Sequence, residues 1–479
     1  MWTSKNWIGG EWTIPAGESW AVHNPSNVSD IVGTVHLSGP AELRQAGVAA
    51  QQAQTLWAAM NLPQRGEQLL KIAALLEQQA AEVARLASLE MGKPVTEMTG
   101  EVMRGVHLLR YYAAEGVRTV GSVIPSSQAH TLQYTKRIPL GIVGVITPWN
   151  FPVAIPLWKI APALICGNTV IWKPAEIASL TATRLAEIFA QADLPAGVLN
   201  MVIGKGAEIG SLLVEEGPLD GISFTGSTKT GMGVAGAAAR RNIKYQVEMG
   251  GKNAAVILQD ADLDLAIPAV LSGAFRSAGQ KCTATSRIIV EQPIYLEVVR
   301  ALQDAVPRLY LGEATDVQAY LGPVASEPQY QKVMSYVQVA RRAEVLAEGS
   351  WEHVRPDAGH YLTPLVVTGV EAASPLVQEE IFGPVATLLP AANFDEAVEL
   401  CNDTVYGLSA SIFTRDLQKG LRFLDQADAG MLRVNQETAG VEYQAPFGGV
   451  KHSSSHSREQ GAAALDFYSQ VKTCAVYFG

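Results

Sequence analysis

One cysteine of the chain stands in a polar segment that suits catalysis better than packing. Cys282 lies within GAFRSAGQKCTATSR, residues 273–287, directly between Lys281 and Thr283. An accessible thiolate in such a loop can attack a carbonyl carbon and form a covalent intermediate. The alternative is an inert buried thiol, the commoner state of a free cysteine. The remaining cysteines fit that alternative: Cys166, Cys401 and Cys474.

Two further side chains carry groups that a thiol-based reaction needs. Glu248 stands shortly before two glycines in VEMGGKN, where the backbone can approach a ligand closely and a carboxylate can act as a general base. Asn150, in TPWNFP, can donate a fixed hydrogen bond to an oxyanion. Each residue taken alone also fits a simpler structure, a surface glutamate at a strand end and an asparagine in a turn.

Two segments that follow predicted strands carry residues suited to a nucleotide. WKPAE places Lys173 and Glu176 directly after a strand, where both can bind ribose hydroxyls. FTGSTKTG places Gly226 and Ser227 between a strand and a helix, and a serine at a helix N-terminus can meet a phosphate. Ser227 equally fits a plain helix cap, because the segment has neither a Gly-x-Gly-x-x-Gly nor a Gly-Lys-Ser/Thr pattern.

Alternating strands and helices must position these residues. From residue 141 onward, apolar segments such as GIVGVITP, TVIWKPA and GISFTGS alternate with helical segments. Continuous apolar strands separated by helices predict a parallel sheet covered on both faces, a doubly wound α/β unit that usually carries a nucleotide. A second alternation runs from NAAVILQ to about residue 435.

Other segments complete the predicted organisation. Residues 40–88 and 97–115 have helical spacing, residues 119–142 form a predicted β-hairpin, and QVKTCAVYFG forms a final strand. The helix AIPAVLSGAFRSA is predicted to end at Gly279, so that Cys282 follows it in a loop that exposes the thiol.

The composition is that of a folded protein with two or three domains. The chain has 479 residues, of which 48% are hydrophobic and 17% charged. A formal net charge of −10 argues against binding of nucleic acid. The four cysteines have no zinc-binding spacing, so no metal is predicted, and so few cysteines favour a reducing cytoplasm. No secretory signal and no membrane-spanning segment is recognised, so no membrane partner is expected.

Separated motifs, in a fixed order along the chain, together resemble the aldehyde dehydrogenase superfamily: TPWNFP, WKPAE, FTGS, EMGGKN, GQKC, QEEIFGPV and APFGGVKHS. The resemblance covers essentially the whole chain. It implies a Rossmann-type cofactor domain, residues 1–118 and 141–248, and an α/β catalytic domain, residues 249–446. It also implies that a hairpin at residues 119–140 and the tail at residues 464–479 form the oligomerisation element of a homodimer or homotetramer.

The resemblance implies a catalytic role for three of the candidate residues. Cys282 is the nucleophile that forms a thiohemiacetal with a small-molecule aldehyde. Asn150 and the Cys282 backbone N–H hold the oxyanion, and Glu248 activates the water that hydrolyses the thioester. Met249 replaces the leucine that is commoner in the family, which is a conservative change.

The resemblance also implies NAD as the cofactor, with NADP as the alternative. A carboxylate at Glu176 accepts hydrogen bonds from a 2′-hydroxyl and repels a 2′-phosphate, so NAD is expected to be preferred. The implied cofactor-binding residues are Lys173, Glu176, Trp149, Gly226, Ser227, Glu380 and Phe382.

The substrate that the resemblance implies is an aldehyde that also carries a carboxylate. Arg276 stands six residues before Cys282, where family members that act on short carboxylated semialdehydes carry an arginine in the substrate tunnel. Without the resemblance, Arg276 fits a surface residue at a helix end. GAFRSAGQKCTATSR and GGVKHSSSHSREQG resemble the branch that acts on 2-oxoglutarate semialdehyde, and succinate semialdehyde or a broad range of aldehydes is the alternative.

Two other classes of protein compete with this interpretation. A CoA-acylating dehydrogenase transfers its acyl group to CoA and has no need of a water-activating base, so Glu248 argues against it. A non-catalytic binding protein with this fold would not need Cys282, Asn150 and Glu248 together. The sequence therefore predicts a hydrolytic, NAD(P)-dependent aldehyde dehydrogenase.

Overall fold

The computed structural model describes residues 1–118 and 120–479 of an α/β protein with two seven-stranded sheets. The predicted α/β fold with parallel sheets is confirmed. Thr119, the first residue of the predicted hairpin and of the predicted oligomerisation element, lies outside the described residues. No described helix combines the length and apolar character that crossing a membrane requires.

The elements are numbered in chain order. The strands are β1 (Trp2–Thr3), β2 (Asn6–Ile8), β3 (Glu11–Thr13), β4 (Ser19–Asn24), β5 (Asn27–His36), β6 (Val123–Ile124), β7 (Thr131–Pro139), β8 (Ile142–Ile146), β9 (Thr169–Lys173), β10 (Leu199–Met201), β11 (Gly221–Thr225), β12 (Lys244–Glu248), β13 (Asn253–Ile257), β14 (Thr285–Glu291), β15 (Glu344–Glu348), β16 (Leu365–Thr368), β17 (Val385–Ala391), β18 (Tyr406–Gly407), β19 (Ser409–Phe413), β20 (Met431–Val434), β21 (Val450–Lys451) and β22 (Ser469–Tyr477). The α-helices are α1 (Pro40–Ala59), α2 (Leu62–Gln78), α3 (Ala80–Met91), α4 (Val95–Glu115), α5 (Ala154–Ile165), α6 (Ser179–Gln191), α7 (Ser211–Glu216), α8 (Thr228–Arg240), α9 (Leu263–Phe275), α10 (Tyr295–Ala305), α11 (Glu327–Ala340), α12 (Pro375–Gln378), α13 (Phe394–Asn402), α14 (Leu417–Gln426) and α15 (Ala463–Phe467).

The first large sheet has the strand order β12-β11-β8-β9-β10-β2-β3. The strands from β12 to β10 are parallel, and β2 and β3 join antiparallel at one edge. Every residue of β8, β9 and β11 is buried, which explains why these strands read as continuous apolar segments. Because these strands are parallel, the residues that follow their carboxyl ends meet at one edge of the sheet.

The second large sheet has the strand order β15-β16-β17-β14-β13-β19-β20. Neighbouring strands are parallel except for β15, which pairs antiparallel with β16. Helix α9 packs on β14 and leads into the segment that carries Cys282. Glu248 thus lies at the end of a strand in the first sheet, and Cys282 lies in a loop of the second sheet.

A third sheet contains the predicted hairpin and the tail. β7 pairs antiparallel with β22 over its whole length, from Thr131 opposite Tyr477 to Pro139 opposite Ser469. β6 pairs with the other edge of β7, which forms the hairpin. A further small sheet has the order β1-β5-β4.

The chain before Cys282 departs from the prediction. Helix α9 ends at Phe275, four residues before Gly279. The reason is that Ser277 and Ala278 have left-handed backbone angles, with φ of 55° and 51°, which no α-helix can contain. The helix prediction was wrong here because both residues have ordinary helical propensity, so no local pattern indicated the kink.

Contacts with distant segments hold the kinked turn. The carboxylate of Glu97 on α4 accepts hydrogen bonds from the backbone N and the Oγ of Ser277, at 2.9 and 2.7 Å. Gly279 has a φ of 70°, and a Cβ there would lie 2.2 Å from the carbonyl oxygen of Gly383. Glycine is therefore required at this position by both conformation and space.

Candidate active site

Two adjoining cavities form a cleft at the carboxyl ends of β8, β9 and β11. The inner cavity has a volume of about 150 Å³ and is lined by Cys282 and Asn150. The outer cavity has a volume of about 690 Å³ and is lined by Lys173 and Glu176. Five residues line both cavities: Pro148, Trp149, Thr225, Gly226 and Ser227. A continuous path therefore runs from Glu176 to Cys282.

Cys282 is the only one of the four cysteines, all of them in the described part of the chain, that lines this cleft. Cys282 is half-buried and lines the inner cavity, so the loop leaves the thiol partly exposed. The side chain packs against an apolar cluster of Leu408, Met431 and Phe447. Asn253 at the start of β13 holds the loop, because its Nδ2 donates to the Cys282 carbonyl oxygen at 2.8 Å.

The surroundings of the sulfur oppose its ionisation. Burial raises the pKa of the Cys282 thiol to about 12, and the negative charges of Glu380 and Glu248 act in the same direction. The backbone N–H groups of Cys282 and Thr283 point at the sulfur and lower its pKa in part. The same two N–H groups can stabilise negative charge on an atom bound next to the sulfur.

Asn150 follows β8 and faces the cysteine loop. Its Nδ2 donates a hydrogen bond to the carbonyl oxygen of Gln280 at 2.9 Å, and the side chain is buried. Gln280 is fixed in turn, because its Oε1 accepts a hydrogen bond from the backbone N of Ala325 at 3.0 Å. An amide NH₂ group has two hydrogens, so the bond to Gln280 leaves the second hydrogen of Asn150 available for a ligand in the inner cavity.

Glu248 ends β12 and lies behind the wall of the inner cavity, which Met249 and Gly250 line instead. Ser454 Oγ donates to its Oε2 at 2.5 Å, while Oε1 has no hydrogen-bond partner among the described residues. Burial raises the pKa of Glu248 well above the ordinary value, the charge of Glu459 raises it further, and the Ser454 hydrogen bond opposes both. The observed side chain is therefore a buried carboxyl group that must turn to reach the cavity.

A buried ion pair that no sequence motif predicted lies beside Glu248. Lys159 on α5 pairs with Glu459, and both side chains are almost completely buried. Lys159 also donates to Ser223 Oγ at 2.9 Å, and Trp158 Nε1 donates to Glu459 at 2.6 Å. A sequence signal did exist, because Lys159 is the one charged residue in the otherwise apolar helix AIPLWKIAPALI.

The outer cavity brings together the residues predicted to bind the adenosine end of a cofactor. Lys173 Nζ lies 3.5 Å from Glu176 Oε1, and burial lowers the pKa of Lys173 while the Glu176 charge opposes this shift. Glu176 also accepts a hydrogen bond from the backbone N of Gly206. Ser227 caps α8, because its Oγ accepts a hydrogen bond from the backbone N of Thr230 at 3.3 Å. The N-terminus of α8 also faces the outer cavity.

The inner cavity brings together Glu380, Phe382 and Trp149. Glu380 Oε1 accepts a hydrogen bond from the backbone N of Gly251 at 3.1 Å, and burial raises the pKa of this carboxyl group. The Phe382 and Trp149 rings meet edge to face, with centroids 5.4 Å apart. Phe382 has a φ of 59°, a strained angle for an aromatic residue, and such strain is concentrated at functional sites.

Arg276 does not line either cavity of the cleft. Its guanidinium carbon lies 4.6 Å from the centroid of the Tyr320 ring, which is a cation–π contact. The described residues contain no cluster of three His, Cys, Asp or Glu side chains that could hold a metal ion. The structure thus brings together the predicted residues except Glu248, which lies behind the wall, and Arg276, which stands apart.

Comparisons with known proteins identify the family. Residues 12–474 match the aldehyde dehydrogenase family. The chain is 46% identical over 478 residues to an alpha-ketoglutaric semialdehyde dehydrogenase of Bacillus subtilis (strain 168), covering 99% of this chain and 98% of that protein. It is 39% identical over 475 residues to an alpha-ketoglutarate semialdehyde dehydrogenase of Haloferax volcanii, covering 98% of each.

Solved structures agree with the sequence comparison. A betaine aldehyde dehydrogenase of Staphylococcus aureus in complex with NAD⁺ superposes with a TM-score of 0.95 at 32% identity, covering 99% of this chain and 95% of that one. The chain belongs to the aldehyde dehydrogenase family.

Proposed function

We propose that this protein oxidises 2-oxoglutarate semialdehyde to 2-oxoglutarate, with NAD⁺ as the cofactor. The observation that carries the proposal is the full-length similarity to alpha-ketoglutaric semialdehyde dehydrogenase, at 46% identity. A cleft that leads from nucleotide-type residues to a cysteine supplies the chemistry that such a reaction needs.

The outer cavity fits a dinucleotide. Its volume of about 690 Å³ suits a cofactor, and the N-terminus of α8, which lines this cavity, suits a phosphate. Glu176 and Lys173 would hold the adenosine ribose, Gly226 and Ser227 the pyrophosphate, and Trp149, Glu380 and Phe382 the nicotinamide end. The chemistry that NAD⁺ supplies when bound is acceptance of the hydride that the aldehyde carbon loses.

In the first step, the Cys282 sulfur bonds to the aldehyde carbon and gives a thiohemiacetal. Negative charge then develops on the former carbonyl oxygen. The free hydrogen of Asn150 Nδ2 and the backbone N–H of Cys282 are the donors proposed to stabilise it. Because burial raises the pKa of the thiol to about 12, the sulfur attacks as its proton is released to water in the inner cavity.

In the second half of the reaction, the oxidised carbon is a thioester on Cys282. Glu248 is proposed to take a proton from the water that attacks this thioester, which releases the carboxylic acid and the thiol. A raised pKa suits a general base that works near neutral pH. To reach this water, the Glu248 side chain must turn toward the inner cavity. Gly448 leaves room for that turn, because a Cβ at this position would lie only 3.1 Å from Glu248 Oε1.

The substrate is a small aldehyde, and its distal carboxylate needs a cation. Arg276, predicted for this role, carries a positive charge near the start of the cysteine loop. We keep Arg276 as a proposed contributor to substrate binding through its charge.

Three parts of the chain are proposed as functional units. Residues 1–118 and 141–248 supply the first large sheet and the outer cavity, and residues 249–446 supply the second sheet and the cysteine. Residues 119–140 and 464–479 are proposed as the oligomerisation element of a homodimer or homotetramer. Exposed apolar side chains in the tail support this oligomerisation element, since Val471 is 59%, Tyr477 70% and Phe478 67% exposed.

The four free cysteines support a reducing compartment such as the cytoplasm.

The test is a comparison of kcat/KM for 2-oxoglutarate semialdehyde, succinate semialdehyde and pentanal, with NAD⁺ and NADP⁺, each with and without CoA. The proposal expects the highest value for 2-oxoglutarate semialdehyde with NAD⁺, no effect of CoA, and 2-oxoglutarate as the product. A higher value for succinate semialdehyde or pentanal would refute the substrate. Formation of an acyl-CoA would refute the hydrolytic mechanism.

A further inference from the structure

One half-buried arginine has no carboxylate partner among the residues that the structure describes. Arg104, on α4, donates through Nη2 to Gln460 Oε1 at 2.9 Å. Its Nε is buried and has no partner in the described part of the chain. The Nε2 of Gln460 is likewise a buried donor without a partner there. Two adjacent side chains thus present hydrogen-bond donors with no acceptor, which is costly unless a ligand supplies one.

The nearest carboxylate is already engaged elsewhere. Glu101 stands one turn before Arg104, and its Oε2 pairs with Lys93 Nζ at 2.7 Å. Its Oε1 accepts hydrogen bonds from the backbone N atoms of Val153 and Ala154, at 2.8 and 3.0 Å. Glu101 therefore fixes the start of α5 and leaves the Arg104 guanidinium without a direct ion pair.

A second arginine adds to the positive charge. Arg433 on β20 donates to the backbone carbonyl oxygens of Glu437 and Ala439, at 2.7 and 2.9 Å. Burial lowers the pKa of Arg104, the Glu101 charge opposes this, and the charge of Arg433 lowers the pKa further. The negative charge of Glu437 acts on Arg433 in turn, so a bound anion would chiefly satisfy the free donors of Arg104 and Gln460.

An aromatic path connects Arg104 with the sulfur of Cys282. The guanidinium carbon of Arg104 lies 5.8 Å from the centroid of the Trp158 ring. The Trp158 and Phe447 rings are 5.3 Å apart, and Phe447 belongs to the cluster against which Cys282 packs. Neither Trp158 nor Phe447 lines the inner or the outer cavity. The aromatic path therefore reaches Cys282 through residues other than those that line the cleft.

We propose that Arg104, with Gln460, binds the distal 2-oxo carboxylate end of the substrate, which lies along Trp158 and Phe447 with its aldehyde carbon at Cys282. The assignment rests on the proposed function, because it assumes a carboxylated aldehyde. The Nε and Nη groups of a guanidinium match the two oxygens of a carboxylate. The free Nε2 of Gln460 offers a further donor for the same end of the molecule.

Arg276 is less suited to direct binding of the carboxylate. Its guanidinium stacks on the ring of Tyr320. The negative charges of Glu97 and Glu437 act on the same tyrosine and oppose the effect of the Arg276 charge. Arg104 has free donors and no engaged carboxylate, so Arg104 makes the hydrogen bonds and Arg276 contributes charge.

The first test compares Arg104→Met with the parent enzyme on two substrates of equal chain length. The kcat/KM for 2-oxoglutarate semialdehyde should fall about 30-fold or more, and the value for pentanal should change less than about threefold. Arg104→Lys should recover part of the loss, because it restores the charge without the paired donors. The matched control is Arg110→Met, which removes an exposed arginine of the same helix that pairs with Glu77 and should leave both values unchanged.

A second measurement separates this inference from the proposed function. Glutarate, an inert dicarboxylate, is used as a competitive inhibitor of pentanal oxidation, and its inhibition constant should rise about 30-fold in Arg104→Met. If the parent oxidises pentanal as well as 2-oxoglutarate semialdehyde, the proposed substrate fails, yet the glutarate result still decides the role of Arg104. An unchanged glutarate constant, or equal loss on both aldehydes in a variant with parental NAD⁺ binding, would overturn the inference.

Discussion

Asn150 and Gln280 join the two walls of the cleft. Asn150 Nδ2 donates to the Gln280 carbonyl oxygen across 2.9 Å, although the two residues are 130 positions apart in the chain. Asn150 follows β8 of the first sheet, and Gln280 stands two residues before Cys282 in a loop of the second sheet. This hydrogen bond therefore fixes the distance between the proposed oxyanion donor and the proposed nucleophile.

Replacement of Asn150 by Ala should cost catalysis much more than cofactor binding. It removes the proposed oxyanion donor and the hydrogen bond that positions the cysteine loop, so kcat should fall about 100- to 1,000-fold. The dissociation constant of NAD⁺, measured by fluorescence titration, should stay near that of the parent. Asn402→Ala is the control, because Asn402 also donates to a backbone carbonyl, that of Gln426, away from the cleft. A parental kcat in Asn150→Ala would remove the residue from the mechanism.

The reactivity of Cys282 should depend on Glu380. The negative charge of Glu380 is the largest cause after burial that raises the pKa of the thiol. Glu380→Gln removes this charge, so the pKa should fall and alkylation by iodoacetamide at pH 8 should become faster, by up to about tenfold. Glu379→Gln, at the exposed neighbouring position, should leave the rate unchanged. Slower alkylation in Glu380→Gln would contradict the electrostatic account.

Thioester hydrolysis should have a pH dependence that Ser454 controls. The pKa of Glu248 is raised, and its carboxylate form, which the base needs, appears only as the pH rises through that pKa. The Ser454 hydrogen bond lowers this pKa. Ser454→Ala should therefore raise it further and move the pH of half-maximal deacylation upward, by on the order of 0.5–1 pH unit.

The deacylation rate is best measured in single turnovers, after NADH has formed. Ser457→Ala is a control, because Ser457 bonds to Gln246 and not to Glu248. A profile that stays in place, or that moves toward lower pH, would show that Glu248 is not the group that limits hydrolysis.

Cofactor preference should change when Glu176 is replaced. Glu176→Ser removes a carboxylate expected to accept the 2′-hydroxyl and to repel a 2′-phosphate, so the ratio of kcat/KM for NAD⁺ over NADP⁺ should fall about tenfold or more. Glu208→Ser removes an exposed carboxylate outside the cleft and should leave the ratio unchanged. An unaltered ratio in Glu176→Ser would mean that this side chain does not face the ribose.

The fold could be predicted from the sequence because the residue pattern that indicates each strand lies within that strand. Strands buried on both faces must be apolar throughout, and β8, β9 and β11 show this directly. Lys173 and Glu176 were predicted together for the same reason, since Lys173 ends a strand and Glu176 lies three residues beyond it.

The features that the sequence did not predict depend on contacts between distant segments. Glu248 faces away from the inner cavity because Ser454, 206 residues further along the chain, holds it there. The kink after Phe275 depends on a carboxylate of α4. Arg104 looks like any helix-surface arginine in EVMRGVHLL, and only its contacts with Trp158 and Gln460 show that it is half-buried, with a buried Nε.

The central claim, that the substrate carbon is oxidised while bound to Cys282 and released with the help of Glu248, is tested most directly by trapping the intermediate. Glu248→Gln is mixed with 2-oxoglutarate semialdehyde and NAD⁺, quenched in acid, and analysed by peptide mass spectrometry. The account predicts a burst of about one NADH per site and a 2-oxoglutaryl adduct on the peptide that contains Cys282. No adduct should form without NAD⁺ or in Cys282→Ala. NADH production near the parental rate in Cys282→Ala, or an adduct on Cys166, Cys401 or Cys474 instead, would contradict it.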